Sequence, residues 1–197
     1  RVLVRASRIT YVGELGWELY VPVEFAAGVY DALQEAGGDL GLRDAGYYAL
    51  ESLRVEKAYR AWGRELTTDY SPFEAGLGFA VSLGKAVPFI GREALLAQRG
   101  RPVTRRLVNF VLDDPEALPL GDEPIWSEGC MVGSTTSAAY GHSVGRAVAM
   151  GYVTREEGVD AAYVGQARFE IEIAGDRVAA RGSLRAPYDP DGLRIKS

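Results

Sequence analysis

The sequence predicts an α+β fold: a front half of mixed strands and helices, then a small all-β barrel or sandwich. Three observations predict it. Apolar residues recur at helical steps of three and four in two front segments. Beyond residue 104 nearly every segment instead alternates with the period of a strand and is cut by glycine-containing turns. Between the two lies Gln98–Thr104, Gln-Arg-Gly-Arg-Pro-Val-Thr, where composition shifts as at a domain boundary. The expected units are therefore residues 1–98 and 104–197.

Val2–Val4 and Trp17–Val23 read as strands on either side of a glycine turn, with Trp17, Leu19, Val21 and Val23 on one face and Glu18 and Tyr20 on the other. Val23–Ala36 reads as a helix, with Phe25, Val29, Leu33 and Ala36 on one face, stopped by Gly37-Gly38. A second helix is expected from Ala45 to about Lys57, with Asp44 as its N-cap and Arg54 near its C-terminal end, where a cation suits the helix dipole. A polar loop, Arg60–Tyr70, follows. Phe79, Val81 and Leu83 alternate as in a strand, and Gly91–Gln98 reads as a short helix. The later strands are expected at Arg105–Leu112, Met131–Thr136, Ala147–Val153, Arg168–Ile173 and Arg177–Leu184, with turns at Gly121-Asp122, Glu128-Gly129 and Gly175-Asp176.

With 197 residues, 47% of them hydrophobic and 25% charged, the chain has the composition of a globular protein with sizeable cores. A net charge of −5 argues against a broad nucleic-acid surface, and no apolar run approaches a membrane span. One cysteine, Cys130, rules out an internal disulfide and fits a reducing, cytoplasmic setting; one histidine, His142, argues against a histidine-built metal site. Positive charge is carried almost wholly by arginine, whose planar fork suits a carboxylate ligand. The start in mid-strand style, Arg1-Val2-Leu3-Val4-Arg5, suggests a piece of a longer protein.

The segment of greatest chemical interest is Thr10–Tyr20, with two glycines, two acids and three aromatics in eleven residues. A carboxylate on a rigid strand beside aromatic rings suits a planar, nitrogen-rich heterocycle: it accepts two parallel N–H bonds while the rings stack. The competing reading is a glycine turn into an ordinary edge strand, with Glu14 and Glu18 solvated.

The order of several short motifs resembles a known family. These are Tyr11–Tyr20, Glu51-Ser52-Leu53-Arg54-Val55-Glu56-Lys57, Ser71–Gly78, Phe89–Leu95, Glu123-Pro124-Ile125, Val132–Ser137, Ala149–Val153 and Pro187-Tyr188-Asp189-Pro190. Together they resemble the C-terminal part of the folate-binding aminomethyltransferase (glycine-cleavage T-protein) family. Arg60-Ala61-Trp62-Gly63, Phe73–Phe79 and Ser137–His142 are more similar to the C-terminal region of dimethylglycine and sarcosine dehydrogenases or oxidases.

The resemblance implies part of a T-protein-like folate-binding fold followed by a β-barrel, tetrahydrofolate as cofactor, and an N-methyl amine donor whose iminium is captured as 5,10-methylenetetrahydrofolate. FAD is implied only in an upstream domain or a partner. By the same resemblance Glu18, in a Gly-aromatic-Glu triplet, is the pterin-binding glutamate, Tyr11 lines the cavity, and Arg54 binds a carbonyl or carboxylate of the folate. Glu14 is expected to serve the turn. Tyr140 and His142, on a glycine-flanked loop, are weaker candidates approaching from the barrel side, with packing or surface as the default. Arg185 and Tyr188 near the end are weaker candidates for reaching a folate tail. Trp17, Trp62 and Trp126 are expected as core or covering aromatics.

The family's catalytic aspartate belongs to an upstream half that nothing here matches, and no Gly-x-Gly-x-x-Gly follows a strand. The chain by itself is therefore expected to bind rather than complete the chemistry. An unpaired sheet edge makes a homo-oligomer one expected outcome. Two alternatives stay open: a folate-dependent demethylase or stand-alone aminomethyltransferase, and a non-catalytic assembly module on the same scaffold.

Overall fold

The front half is organised around a two-stranded ribbon rather than a broad sheet. A computed structural model describes residues 2–196. Strand β1 (Arg5–Ser7) pairs antiparallel with β2 (Glu18–Tyr20), in the register Arg5↔Tyr20 and Ser7↔Glu18. The strand expected at Val2–Val4 thus begins three residues later, where β2 supplies hydrogen-bond partners. Pro22, which lacks an N–H, ends the second strand early, and Val23–Phe25 forms a 3-10 turn. Helix α1 (Ala26–Gly37) follows with no buried residue; its apolar side and Val2 and Val4 bound a hollow of about 510 Å3.

Helix α2 (Tyr47–Glu56) starts after Gly46, not after Asp44. The Asp44 carboxylate is engaged elsewhere: it accepts from Tyr30 Oη at 2.7 Å and Gln34 Nε2 at 2.9 Å, tying the following loop to α1. The strand expected over Phe79–Leu83 is replaced by a 3-10 turn at Gly78–Ala80 that leaves Phe79 exposed. Alternation alone cannot form a strand where no neighbouring strand is at hand. Helix α3 (Arg92–Gln98) closes the front half.

The back half is a closed antiparallel barrel with strand order β3-β6-β5-β4-β7-β8: β3 (Arg105–Leu112), β4 (Pro124–Ser127), β5 (Cys130–Gly141), β6 (Arg146–Thr154), β7 (Phe169–Ile173) and β8 (Asp176–Ser183). Sequence reading found β3, β6, β7 and β8 to within a residue or so. It found only half of β5 and missed β4, whose run of four is cut by a register shift at Ile125/Trp126. It also missed α4 (Ala161–Gln166), whose N-cap Asp160 accepts from the Tyr163 N–H at 2.8 Å.

Side-chain alternation explains how the barrel attaches to the front half. Val108, Phe110, Leu112, Ile125, Ala149, Val153, Phe169 and Ile171 fill the interior, joined by Val164 of α4. The opposite face of β6 is equally dry, and Leu107 and Asn109 are buried beside it on β3. Leu107, Val148, Met150 and Tyr152 pack on Val55 of α2 and on Ala58. Strand β6 therefore buries both of its faces, and the barrel wall doubles as the floor on which α2 lies. At Gly133 a Cβ would fall 1.8 Å from the Tyr152 carbonyl oxygen, so this crossing of β5 and β6 admits only glycine.

Candidate functional site

The residues singled out by sequence converge in part, around the C-terminal end of α2. Arg54 is wholly buried. Its Nε and Nη2 donate to the two oxygens of Glu51, Nη1 to Glu65 Oε2 (2.8 Å) and the Tyr59 carbonyl (3.1 Å), and Nη2 also to Ser137 Oγ (2.6 Å). A guanidinium has five N–H donors, and these contacts engage all of them. The expectation that Arg54 grips a ligand finds no free donor here; the fork instead pins α2, the loop after it and β5 together.

Glu65, from the polar loop, is equally buried. It accepts from the Ala61 N–H (2.8 Å) and Thr136 Oγ1 (2.6 Å) as well as from Arg54. Burial alone would raise its pKa. The Ala61 N–H, the Ser137 and Thr136 hydroxyls and the Arg54 charge outweigh this and hold the carboxyl below its ordinary value. Nothing in the local sequence marks Glu65, since its partners lie 4, 11 and 71 positions away.

Tyr11 joins this assembly. Its hydroxyl donates to the Arg60 carbonyl at 2.9 Å, and its ring stacks on Tyr59 with centroids 6.1 Å apart. Burial raises its pKa, with the Arg54 charge opposing and those of Glu65 and Glu51 adding. Tyr11, Tyr59 and Arg54 thus form one cluster.

Glu18 stands apart. It is exposed on β2, and its Oε2 accepts from the Tyr20 hydroxyl at 2.8 Å, as expected of two residues sharing a strand face. A hollow of about 370 Å3 opens next to the turn, bounded by Ile9, Thr10, Glu14, Leu15, Gly16 and Ile195; Glu18 is not in its wall.

The turn itself is held by the C-terminal segment. Tyr188 Oη donates to Glu14 Oε1 at 2.7 Å, which gives Glu14 the structural part expected of it. Lys57 Nζ donates to the Asp189 carboxylate (2.6 Å) and carbonyl (2.7 Å). That ion pair, with the Leu193 and Arg194 N–H groups, lowers the Asp189 pKa from 3.8 to about 2. The Lys57 stem runs under Gly13 so closely that a Cβ there would sit 2.6 Å from it, and Gly13 has φ +80°. The Glu56 carboxylate, also buried, caps the β5–β6 hairpin through Ser143 N (2.9 Å) and Oγ (2.7 Å). Tyr140 and His142 meet edge to face at 5.1 Å, and the Tyr140 carbonyl accepts from Ser52 Oγ. Arg185 is engaged with Asp191. Trp17 and Trp62 are largely exposed, whereas Trp126 lies under the Arg177 guanidinium at 3.6 Å.

Two family models match the chain: residues 1–85 match the GCVT N-terminal domain, and residues 105–189 the glycine cleavage T-protein C-terminal barrel domain. The chain belongs to the glycine-cleavage T-protein family. Sarcosine dehydrogenase of Homo sapiens is 42% identical over 196 residues, 98% of this chain but 21% of that protein. Dimethylglycine dehydrogenase of the same species is 43% identical over 177 residues, 90% of this chain and 20% of that protein. The crystal structure of the glycine cleavage system aminomethyltransferase T from Bartonella henselae superposes with a TM-score of 0.78 at 28% identity, over 92% of this chain and 48% of that one.

The chain is thus an aminomethyltransferase-like unit related to sarcosine and dimethylglycine dehydrogenases, and it spans about a fifth of those two relatives. Both are mitochondrial by name, a different compartment from the cytoplasm expected from cysteine usage. Among the described residues no helix is long and apolar enough to cross a membrane, and no group of three or more His, Cys, Asp and Glu side chains is arranged to hold a metal ion.

Proposed function

We propose that this chain forms the C-terminal part of a tetrahydrofolate-binding aminomethyltransferase-like unit, within a protein of the dimethylglycine or sarcosine dehydrogenase type. Tetrahydrofolate, when bound, supplies a nucleophilic nitrogen that captures the one-carbon unit of an N-methyl amine-derived iminium as 5,10-methylenetetrahydrofolate. FAD, which would generate the iminium, belongs in a separate domain or partner. The observation that carries the reading is the exposed Trp17 and, directly after it, the exposed strand β2 with Glu18 and Tyr20, in a T-protein-family chain.

The fit of this chain's residues to the pterin is partial. The Glu18 carboxylate is accessible, and its single bond to Tyr20 leaves acceptor capacity for two N–H groups. The Tyr11–Tyr59 pair offers ring surface. Arg54 contributes by holding Tyr59 and Glu51 in place rather than by contact. The remaining walls would come from the portion of the family fold that this chain does not span.

Glu18 would orient the heterocycle through charge-assisted bonds, and aromatic side chains would exclude water around the reacting nitrogen. Titration calorimetry with tetrahydrofolate, on the full-length protein that contains this chain, tests this. Glu18→Ala is expected to weaken binding by about 1–3 kcal/mol; unchanged affinity removes Glu18 from the site.

A further inference from the structure

With every donor of Arg54 engaged, the cation that meets an anionic ligand must be sought elsewhere, and Arg60 has the required features. Its side chain is partly buried, and its backbone carbonyl accepts from the hydroxyl of Tyr11, whose ring stacks on Tyr59. Nε donates to the Ala75 carbonyl (3.1 Å) and Nη1 to the Ala58 carbonyl (3.0 Å). Those bonds fix the plane of the fork. Neither brings a negative charge.

Its neighbours differ. Arg54 has Glu65 and Glu51, Lys57 has Asp189, and Arg105 has Glu74. Among the described residues no carboxylate lies within 4 Å of Arg60. Among the described residues Nη2 has no hydrogen-bond partner, and it is not one of the fully buried side-chain atoms. Nη2 therefore reaches the surface.

The backbone around the fork is shaped for it. Ala58, which offers its carbonyl, sits at φ +58°, a region alanine seldom adopts. Gly76 approaches Nη2 so closely that a Cβ would fall 2.9 Å away. Strain and close approach around a partly desolvated, unpaired cation mark a built position rather than a surface arginine. Burial correspondingly lowers the Arg60 pKa, with the Tyr152 and Glu65 charges opposing.

We propose that Arg60 is the anion-gripping residue of this unit, pairing through its free Nη2 edge with a carboxylate of the ligand, which for a folate is the carboxylate of its glutamate tail. This rests on the folate reading above and adds to it the residue and the ligand group that meet.

The test compares two probes by titration calorimetry on the full-length protein that contains this chain: 5-formyltetrahydrofolate and the corresponding tetrahydropteroate, which lacks the glutamate tail. Arg60→Gln is expected to weaken the tailed probe about 10- to 100-fold, the range for losing a charge-assisted hydrogen bond. Binding of the tailless probe should change less than about twofold. Arg60→Lys, which keeps the charge but not the fork, should lose less than Arg60→Gln, and guards against a variant that fails to fold. Equal losses for both probes, or no loss for either, overturn the assignment while leaving the folate reading standing. Failure of the unsubstituted full-length protein to bind either probe overturns both.

Discussion

Replacing Arg54 by methionine separates a structural role from a ligand-binding one, because the two predict opposite patterns. The side chain is wholly buried and so is its partner Glu65. Removing the cation leaves the Glu65 carboxylate inside with the Ala61 N–H and the Thr136 and Ser137 hydroxyls but no opposite charge. Breaking a buried pair on one side costs about 3–5 kcal/mol, most of it the stranded charge. The Glu51 half of the fork adds little, since the Glu51 side chain is 40% exposed and water screens that pair.

Arg54→Met should therefore lower the unfolding free energy by about 3–5 kcal/mol, and Glu65→Gln should be costly as well. The double substitution should cost less than the sum by about 2 kcal/mol or more, because no charge is then stranded. Equilibrium urea denaturation of the full chain, followed by tryptophan fluorescence, measures all three. A loss below about 1 kcal/mol for Arg54→Met, with additive singles, would refute the reasoning and return Arg54 to the list of ligand contacts.

The Asp189 carboxyl, depressed from 3.8 to about 2, contributes stability that is fully present above 3.8 and is lost as pH falls through about 2. Thermal scans should therefore show the gap between the parent and Asp189→Asn closing across that window, and a gap independent of pH would show that Lys57 is not its source. Gly133→Ala forces a methyl onto the Tyr152 carbonyl and should destabilise by about 3 kcal/mol. Gly165→Ala, in α4 where the new Cβ meets nothing within 4 Å, should be neutral or stabilising by about 0.5–1 kcal/mol. The binding effects of Glu18→Ala and Arg60→Gln complete the set, both read by calorimetry as above.

Where the sequence was read correctly, the signal was local. Alternation over β3, β6, β7 and β8 reports sides of a wall facing different surroundings, and short-range sterics set it. Where the reading went wrong, the deciding contact was distant. Asp44 has the chemistry of an N-cap, but Tyr30 and Gln34 claim its oxygens. Phe79–Leu83 alternates like a strand and has no strand beside it.

The amino-acid order by itself determined the α+β division, the barrel, the glycine turn and the T-protein family, because periodicity, turn chemistry and motif order all lie within short stretches of chain. Only the tertiary structure decided what Arg54 contacts. The five donors of one side chain find their acceptors on Glu51, Tyr59, Glu65 and Ser137. Separations of up to 83 positions leave no mark on the sequence until folding brings those groups together.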